Sequence, residues 1–405
     1  MRSLVAAVLA AALLTIASGC GKNNNNSNPT GPGNESALAT LKRLTSGPAY
    51  DESPRWSPDG RKIAFVSDRG LQRDMWVIPD TGGTPVRITT SRFQVMDPQW
   101  SPDGSSFACV ALVDSSLGSR DSLVNRIVKV SATTGAVDTI KITGAKLNFS
   151  GHLRWSPDGT KIAFLVREFR QDTVRSRITG EDSLYTQGWF PANIWTVTVG
   201  GGGGKVTDAT IHRVTGTRPR DALEIRAPEW SPDGSMIAFS ERNSSGSRWG
   251  IYAAPVDGGA PSPLFSDNGE ERSDTTDAGS LRYSPDGTKI AFTYRHHGRR
   301  TIGVIPAAGG TPIDVMDASV GQDPEWAPAG YPVWSLDGLK LAFVSGDTEP
   351  AEIWIVGSSG HDAPARLTTP SLGDYFDPQW SPDGKSIVFV GRLDGNADLW
   401  LGTLK

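Results

Sequence analysis

Short apolar runs recur along this chain, each just after a polar turn. Three consecutive apolar residues occupy the same place in seven successive segments, as Ile63-Ala64-Phe65, Phe107-Ala108-Cys109, Ile162-Ala163-Phe164, Ile237-Ala238-Phe239, Ile290-Ala291-Phe292, Leu341-Ala342-Phe343 and Ile387-Val388-Phe389. Apolar runs without polar alternation are typical of strands buried on both faces, as where sheets stack on neighbouring sheets. The pattern therefore predicts a repeated, fully buried strand.

Each apolar run follows the pentapeptide Trp-Ser-Pro-Asp-Gly or a close variant. Proline presets φ for the first central position of a type I turn, aspartate tolerates the second, and glycine can take the left-handed conformation that follows. Such a turn joins two antiparallel strands, which we name A and B. A period of about 40 to 55 residues is typical of one four-stranded propeller blade. Most motif aromatics are spaced in this way, at Trp56, Trp100, Trp155, Trp230, Tyr283, Trp334 and Trp380.

A third strand, C, carries an aliphatic-aromatic pair in five copies, and a fourth, D, follows a Gly-rich turn. The seventh copy reaches Lys405 just after its strand C. We expect Lys42-Arg43-Leu44-Thr45, ahead of the first copy, to supply the missing strand D and leave no open sheet edge. The predicted fold is all-β, a seven-bladed propeller of four-stranded antiparallel blades over residues 38–405, closed by the N-terminal strand.

These motifs resemble the WD-like propeller repeats of TolB, the periplasmic component of the Tol-Pal system, and of propellers attached to prolyl-oligopeptidase-type enzymes. The stretch from Arg43 to Gly70 looks especially TolB-like, and the resemblance covers roughly residues 40–405. It implies the propeller fold and a partner that is another envelope protein or a peptide, with a glycan next. TolB-type proteins carry an α/β domain before a six-bladed propeller and are soluble, whereas this chain shows seven repeats and a lipid-anchor signal.

The N-terminal segment has the pattern of a secretory signal. Arg2 precedes an apolar run from Leu4 to Ile16, and Ala17-Ser18-Gly19-Cys20 is a small-residue cleavage site ending in cysteine. It resembles a bacterial lipobox, with Ala17 where leucine is commoner. We expect residues 1–19 to be a lipoprotein signal peptide and Cys20 to be acylated. The alternatives are an ordinary secretion signal or an uncleaved anchor.

Residues 20–37 are rich in Asn, Gly and Pro and show no apolar periodicity, which predicts a tether. Gly21, rather than aspartate, would follow the acylated cysteine, which resembles the lipoproteins that enteric bacteria send to the outer membrane. We therefore expect a monomer anchored through Cys20 in the outer membrane and facing the periplasm.

Composition and motifs exclude several functions. A net charge of -4 gives no electrostatic reason to expect nucleic acid. The chain has no Gly-x-Ser-x-Gly, no His-Glu-x-x-His, no cysteine pair at metal spacing and no phosphate loop. We predict a non-enzymatic scaffold without cofactor or metal, in which Cys109 is a buried apolar side chain. The alternative is a glycan-binding protein, or a polysaccharide lyase or hydrolase with its site in the propeller funnel.

The residue before the motif aromatic is polar in six of seven copies. Because the A strands surround the axis of a propeller, alternation predicts that these side chains line the central channel. They are Arg55, Gln99, Arg154, Glu229, Arg282 and Gln379, with Val333 in the sixth copy. Two residues earlier stand Asp97, His152 and Asp377, expected nearer the channel mouth. We predict a polar funnel that receives a ligand or a peptide end; the alternative is a solvated ring of mutually paired charges.

The largest insertion, residues 168–192, interrupts the third repeat. It contains Trp189 and Phe190, which are predicted partner anchors because large aromatics are enriched at interfaces. The alternative is a hairpin extension that folds onto its own blade, since residues 173–178 alternate like a strand.

Overall fold

The structure is a computed structural model, and all residues that it describes belong to the compact unit Gly33–Lys405. Three predicted functional residues, Cys20, Trp189 and Phe190, lie outside the described ranges. Those ranges are 38–70, 72–90, 94–113, 124–140, 147–149, 152–168, 172–175, 182–185, 193–199, 211–215, 225–242, 249–266, 281–296, 299–315, 332–345, 351–368, 373–393 and 395–405.

The described residues form β-strands joined by turns and loops. None of them belongs to a helix of the length and apolarity that crossing a membrane requires. The strands are β1 (Leu38–Arg43), β2 (Asp51–Trp56), β3 (Lys62–Ser67), β4 (Asp74–Pro79), β5 (Val86–Arg87), β6 (Gln94–Trp100), β7 (Ser106–Val113), β8 (Val124–Ser131), β9 (Val137–Thr139), β10 (Leu147–Phe149), β11 (Arg154–Trp155), β12 (Lys161–Glu168), β13 (Asp172–Arg175), β14 (Asp182–Tyr185), β15 (Asn193–Thr198), β16 (Ile211–Arg213), β17 (Ile225–Trp230), β18 (Met236–Arg242), β19 (Trp249–Pro255), β20 (Ser262–Ser266), β21 (Arg282–Tyr283), β22 (Lys289–His296), β23 (Arg299–Pro306), β24 (Ile313–Asp314), β25 (Val333–Trp334), β26 (Lys340–Ser345), β27 (Glu352–Gly357), β28 (Ala365–Arg366), β29 (Asp374–Trp380), β30 (Ser386–Leu393) and β31 (Asn396–Leu404).

Seven antiparallel sheets make seven blades in a ring, which confirms the predicted fold. Blade 1 is β2 to β5, blade 2 is β6 to β9, and blade 3 combines β10 and β11 with β12, β15 and β16. Blades 4, 5 and 6 are β17 to β20, β21 to β24 and β25 to β28, and blade 7 is β29 to β31 completed by β1. The A–B and C–D turns share one face of the ring, named here the turn face. The B–C and D–A connections share the opposite, loop face.

The B strands carry the core, as the apolar triplets predict. Phe65, Phe164, Phe389 and their counterparts in the other blades are fully buried, and Cys109 takes the Phe position in blade 2. Each apolar cluster joins two neighbouring blades; one of them combines Met75 of blade 1 with Phe107 and Cys109 of blade 2. Burying one such aromatic stabilises the fold by about 1.5–3 kcal/mol. The core is therefore built between blades and cannot be completed by one blade alone.

The A–B turn explains most of the pentapeptide. In blade 5, Ser284 Oγ donates to Asp286 Oδ1 at 2.6 Å, and the backbone N–H of Thr288 donates to the same oxygen at 3.0 Å. These hydrogen bonds lower the pKa of Asp286 to about 2, the serine contributing most. Gly287 has a φ of +72 degrees, in the left-handed region that a side chain disfavours. The same serine-aspartate bond recurs in all seven turns, at 2.5 to 2.6 Å.

The motif tryptophan connects adjacent blades. In six blades its indole Nε1 donates, at 3.0 to 3.1 Å, to a backbone carbonyl of the preceding blade. The accepting residue is always the one just before that blade's own motif aromatic. The donor and acceptor pairs are Trp56 with Gln379, Trp100 with Arg55, Trp155 with Gln99, Trp230 with Arg154, Trp334 with Arg282, and Trp380 with Val333. Blade 5 has Tyr283 instead, which carries no indole.

The N-terminal strand closes the ring, as predicted. β1 pairs antiparallel with β31 from Leu38 opposite Leu404 to Arg43 opposite Trp400, and the N–H of Leu399 donates to Thr45 Oγ1 at 2.9 Å. Arg43 forms an ion pair with Asp398, which is fully buried, and lies 5.9 Å above the Trp400 ring. Blades 1 and 6 repeat this contact through Arg87 with Asp74 and Arg366 with Glu352.

The tryptophan contact predicts a measurable difference between two substitutions in blade 1. Trp56→Phe removes the indole donor and leaves the Gln379 carbonyl without it, so it should lower the free energy of unfolding by about 1 kcal/mol more than a matched control. The control is Trp76→Phe, because the Trp76 indole N–H has no hydrogen-bond partner in the structure. Urea unfolding followed by circular dichroism measures both; equal losses would contradict the hydrogen bond's contribution.

A second prediction concerns closure. Burial raises the pKa of Asp398 while Arg43 lowers it, so Arg43→Ala should raise that pKa further. A raised carboxyl pKa stabilises the folded state at low pH, and this stability is lost as pH rises through the raised value. Because Arg43 is partly exposed, Arg43→Ala should cost about 1–3 kcal/mol at pH 7, less than for a fully buried pair, and much less near pH 4. The control, Lys42→Ala in the same strand, should show no such pH dependence; a loss independent of pH would contradict the prediction.

Candidate site in the central channel

A left-handed residue interrupts strand A three positions before the motif aromatic. Five non-glycine residues there have φ between 48 and 60 degrees, and the A–B register shifts at this point in four blades. They are Ser53, Asp97, His152, Ala227 and Asp377. Aspartate and histidine tolerate this conformation better than most side chains. Strict alternation therefore fails between the two predicted rows of channel residues in these four blades, because their A strands contain a bulge.

Charges of opposite sign meet in the channel across blades 7, 1 and 2. Arg55 Nη1 lies 3.0 Å from Asp377 Oδ2, and Arg55 Nη2 lies 4.0 Å from Asp97 Oδ1. Both carboxylates also accept a side-chain amide from their own strand, at 2.8 Å from Gln99 and 3.0 Å from Gln379. The bulge thus brings the two predicted rows into direct contact.

A second group of charges joins blades 3, 4 and 5. Glu229 Oε2 accepts from Arg154 Nε at 3.0 Å and from Arg282 Nη1 at 3.4 Å. Each arginine also donates Nη1 back to the carbonyl of the preceding residue, Leu153 or Leu281, which holds its guanidinium near the strand. One carboxylate therefore bridges two arginines from the blades on either side of it.

The two groups form one alternating series, named here the charge belt. Its members in order around the ring are Asp377, Arg55, Asp97, Arg154, Glu229 and Arg282. Their side chains are 17 to 32% exposed, so water reaches the belt. Val333 of blade 6 takes the equivalent position and interrupts the belt there.

The belt controls the protonation of its neighbours. Burial raises the pKa of the Asp97 carboxyl, but Arg154 and Arg55 outweigh burial and hold that pKa below its usual value. Burial, and then Arg154, lower the pKa of His152, while Asp97 acts in the opposite direction. Asp97 is therefore ionised and His152 neutral at neutral pH.

The described residues offer no group of three or more His, Cys, Asp or Glu side chains that could hold a metal ion. Burial raises the pKa of the Cys109 thiol, which keeps it protonated and unreactive. Within the described ranges, the channel provides paired hydrogen-bond donors and acceptors of both charges. Such an arrangement can bind a polar chain.

The structure places eight of the nine described channel predictions on A strands, and His152 lies two residues before β11. It joins those eight to another of the nine by a hydrogen bond or an ion pair. His152 is related to them through the electrostatic effect of Asp97 and Arg154 on its pKa. In the large insertion, β13 pairs antiparallel with β14 as a two-stranded sheet separate from blade 3. Whether this pair folds onto its own blade or carries partner anchors stays a prediction. Sequence reasoning missed the indole-carbonyl contacts and the D-strand arginines. The repeated Arg-aliphatic-Thr pattern of strand D was the available signal for the latter.

Comparison with known proteins supports the repeat assignment. The TolB β-propeller domain family matches residues 35–134. An uncharacterized protein of Agrobacterium fabrum is 30% identical over 178 residues, 44% of this chain and 54% of its own length. A TolB homolog of Chlorobium luteolum is 30% identical over 181 residues, 45% of this chain and 37% of its own length. The matches thus span about half or less of these curated relatives.

Among solved structures, an oligogalacturonate lyase in complex with manganese superposes with a TM-score of 0.65 at 16% identity, covering 90% of this chain and 93% of that one. A second oligogalacturonate lyase, from Vibrio parahaemolyticus, gives a TM-score of 0.64 at 15% identity over the same shares of the two chains. At these identities the likeness shows the fold alone. The seven sheets around a central channel make this protein a seven-bladed β-propeller. Its repeats are similar to those of the TolB β-propeller domain family over residues 35–134.

The channel geometry predicts how Asp97 affects His152. Asp97→Asn keeps a side chain that tolerates a left-handed backbone but removes a charge that raises the His152 pKa, so His152 should titrate at lower pH. NMR titration of the imidazole Cε1–H measures this directly. Asp377→Asn is the matched control and should leave His152 unchanged. An unchanged or raised His152 pKa in Asp97→Asn would contradict the coupling.

Proposed function

We propose that this protein is a lipid-anchored propeller of the bacterial cell envelope that binds a protein or peptide partner at its channel and catalyses no reaction. The charge belt is the observation that carries the proposal. It gathers three arginines and three carboxylates from six blades, with side chains 17 to 32% exposed.

The balance of the belt favours a peptide as ligand. A segment with charges of both signs can exchange partners with the pairs of Arg55 and of Glu229 without leaving a charge unpaired. A polyanionic glycan would meet Asp97, Asp377 and Glu229 as well as the arginines, and like charges disfavour binding. The TolB-like repeats agree with an envelope protein as partner.

The alternative, a polysaccharide lyase or hydrolase in the funnel, has less support. Likeness to oligogalacturonate lyases is limited to the fold at 15 to 16% identity. Among the described residues, His152 is the one histidine of the channel, and it has no cluster of metal-binding side chains around it.

Site-specific photo-crosslinking in the envelope tests the partner site. Benzoylphenylalanine at Gln99 or Gln379 should give adducts with the partner, whereas the same group at Thr288 on the turn face should not. Arg154→Ala should reduce the Gln99 adduct about thirtyfold, because truncating one member of a hydrogen-bonded charge pair at an interface typically weakens binding by about 2 kcal/mol, and about 1.4 kcal/mol is tenfold. Equal adducts at Thr288, or none at either channel position, would refute the proposed site.

Anchoring is tested separately. Cys20→Ser should abolish metabolic labelling by palmitate and move the protein from the membrane fraction to the soluble periplasm, because the acylated thiol is removed. Ser18→Ala is a suitable control and should retain both labelling and membrane fractionation. Unchanged labelling and fractionation in Cys20→Ser would reject the anchor.

A further inference from the structure

Blade 6 differs from the other six blades at its A–B turn. Leu336 replaces the proline that every other turn carries after its serine, and Leu339 follows Gly338 where the other turns have Arg, Ser, Thr or Lys. Leu336 is 59% exposed and Leu339 is 65% exposed. Among the described residues, no other turn or strand presents two exposed large apolar side chains. We name these two residues the leucine pair.

The leucine pair lies beside an uncovered position. In the other six blades, the proline of the turn lies against the glycine of the next blade's turn, as Pro285 does against Gly338. Gly384 of blade 7 would receive the proline of blade 6, but no atom lies within 4 Å of the position that a Cβ would take there. The turn face is therefore both more apolar and less filled at the border of blades 6 and 7.

The polypeptide enters the propeller at this same border. Leu38, the first residue of β1, pairs with Leu404, and the N–H of Leu404 donates to the Lys385 carbonyl at 2.9 Å. Lys385 directly follows Gly384 in the A–B turn of blade 7. β1 runs from the turn face toward the loop face, so Leu38 stands at the turn-face end of the strand.

The distance to the proposed anchor is short. Residues 21–37 separate Cys20 from β1, and at the chain dimensions that their composition predicts they span roughly 20 to 25 Å. An acyl chain on Cys20 would therefore hold Leu38, at the turn face, at an average distance of about 20 to 25 Å from the anchor. Tethering raises the effective concentration of a surface at its target, so a small apolar contact becomes populated.

Charge does not oppose such a contact. Lys340 and Lys385 flank the leucine pair together with Asp337 and Asp383. Hydrogen bonds, from Ser335 and Ser381 first, hold the pKa of both aspartates below the usual value, so both are ionised. The two lysines balance the two carboxylates, and anionic headgroups meet no net negative charge from these four side chains.

We infer that the leucine pair contacts the lipid surface and holds the turn face against the bilayer. The loop face, where Asp97 and Asp377 stand nearer the channel mouth, then points away from the membrane toward the partner. This orientation rests on the proposed acylation of Cys20.

The test installs the anchor chemically, so that it does not depend on acylation by the cell. The chain from residue 20 onward is coupled through Cys20 to a maleimide lipid in vesicles of phosphatidylethanolamine and phosphatidylglycerol. Cys109 does not compete, because it is buried and burial raises the pKa of its thiol. Benzoylphenylalanine is placed at Ser359 on the turn face or at Gln72 on the loop face, and lipid adducts are measured by mass spectrometry.

The decisive variant is Leu336→Pro with Leu339→Thr, which gives blade 6 the Ser-Pro-Asp-Gly-Thr-Lys turn of blade 5 and so preserves the fold. Val86→Thr is the control, because Val86 is 59% exposed on the outer rim of blade 1. We expect about fivefold more lipid adduct at Ser359 than at Gln72, reduced to the Gln72 level by the double variant and unchanged by Val86→Thr.

Equal adducts at the two positions, or an unchanged Ser359 adduct in the double variant, would overturn the inference. A protein-protein adduct at Ser359 would also overturn it, because the turn face would then meet a second copy. Absence of palmitate labelling in cells would instead refute natural acylation and leave the vesicle result standing, so the two failures are distinguishable.

Discussion

The hydrogen bond from the motif tryptophan to the preceding blade is the interaction on which the propeller depends. Six indole N–H groups reach six backbone carbonyls at 3.0 to 3.1 Å, so each of these blades supplies a partner that its neighbour lacks. A buried donor without a partner costs about 1–3 kcal/mol. Since the apolar clusters also lie between blades, both the polar and the apolar requirements of a blade are met only in the closed ring.

The same contact positions the channel. The accepting carbonyls belong to Gln379, Arg55, Gln99, Arg154, Arg282 and Val333, which are channel positions of their A strands. Each residue thus presents its carbonyl to the next blade and its side chain to the channel. Six blades place a charged side chain in the channel and so form the charge belt. Blade 6 places Val333 at this position, which interrupts the belt. The backbone scaffold is repeated, and the side chains carry the asymmetry.

Much of the fold could be predicted because its determinants are local. The turn pentapeptide, the apolar triplet and the strand D pattern each act within a few residues, and even closure was predictable since Arg43-Leu44-Thr45 repeats the pattern of Arg366-Leu367-Thr368. The channel rows were found by counting from the aromatic. The contacts between the two rows could not be predicted. They depend on left-handed residues at Asp97, Asp377 and their counterparts, and the alternation of polar and apolar residues does not reveal such a backbone conformation.

By itself, then, the sequence determined the number of blades, the chemistry of each turn, the closing strand and the identity of the channel side chains. Only the tertiary structure decided which charges meet, that Arg55 contacts carboxylates from both neighbouring blades, and that the leucine pair stands beside the entry of β1. These relations join residues as far apart as 322 positions, as between Arg55 and Asp377. Residues so far apart in sequence come together when the ring forms. Ring formation depends on packing between blades, which produces no periodic pattern in the sequence.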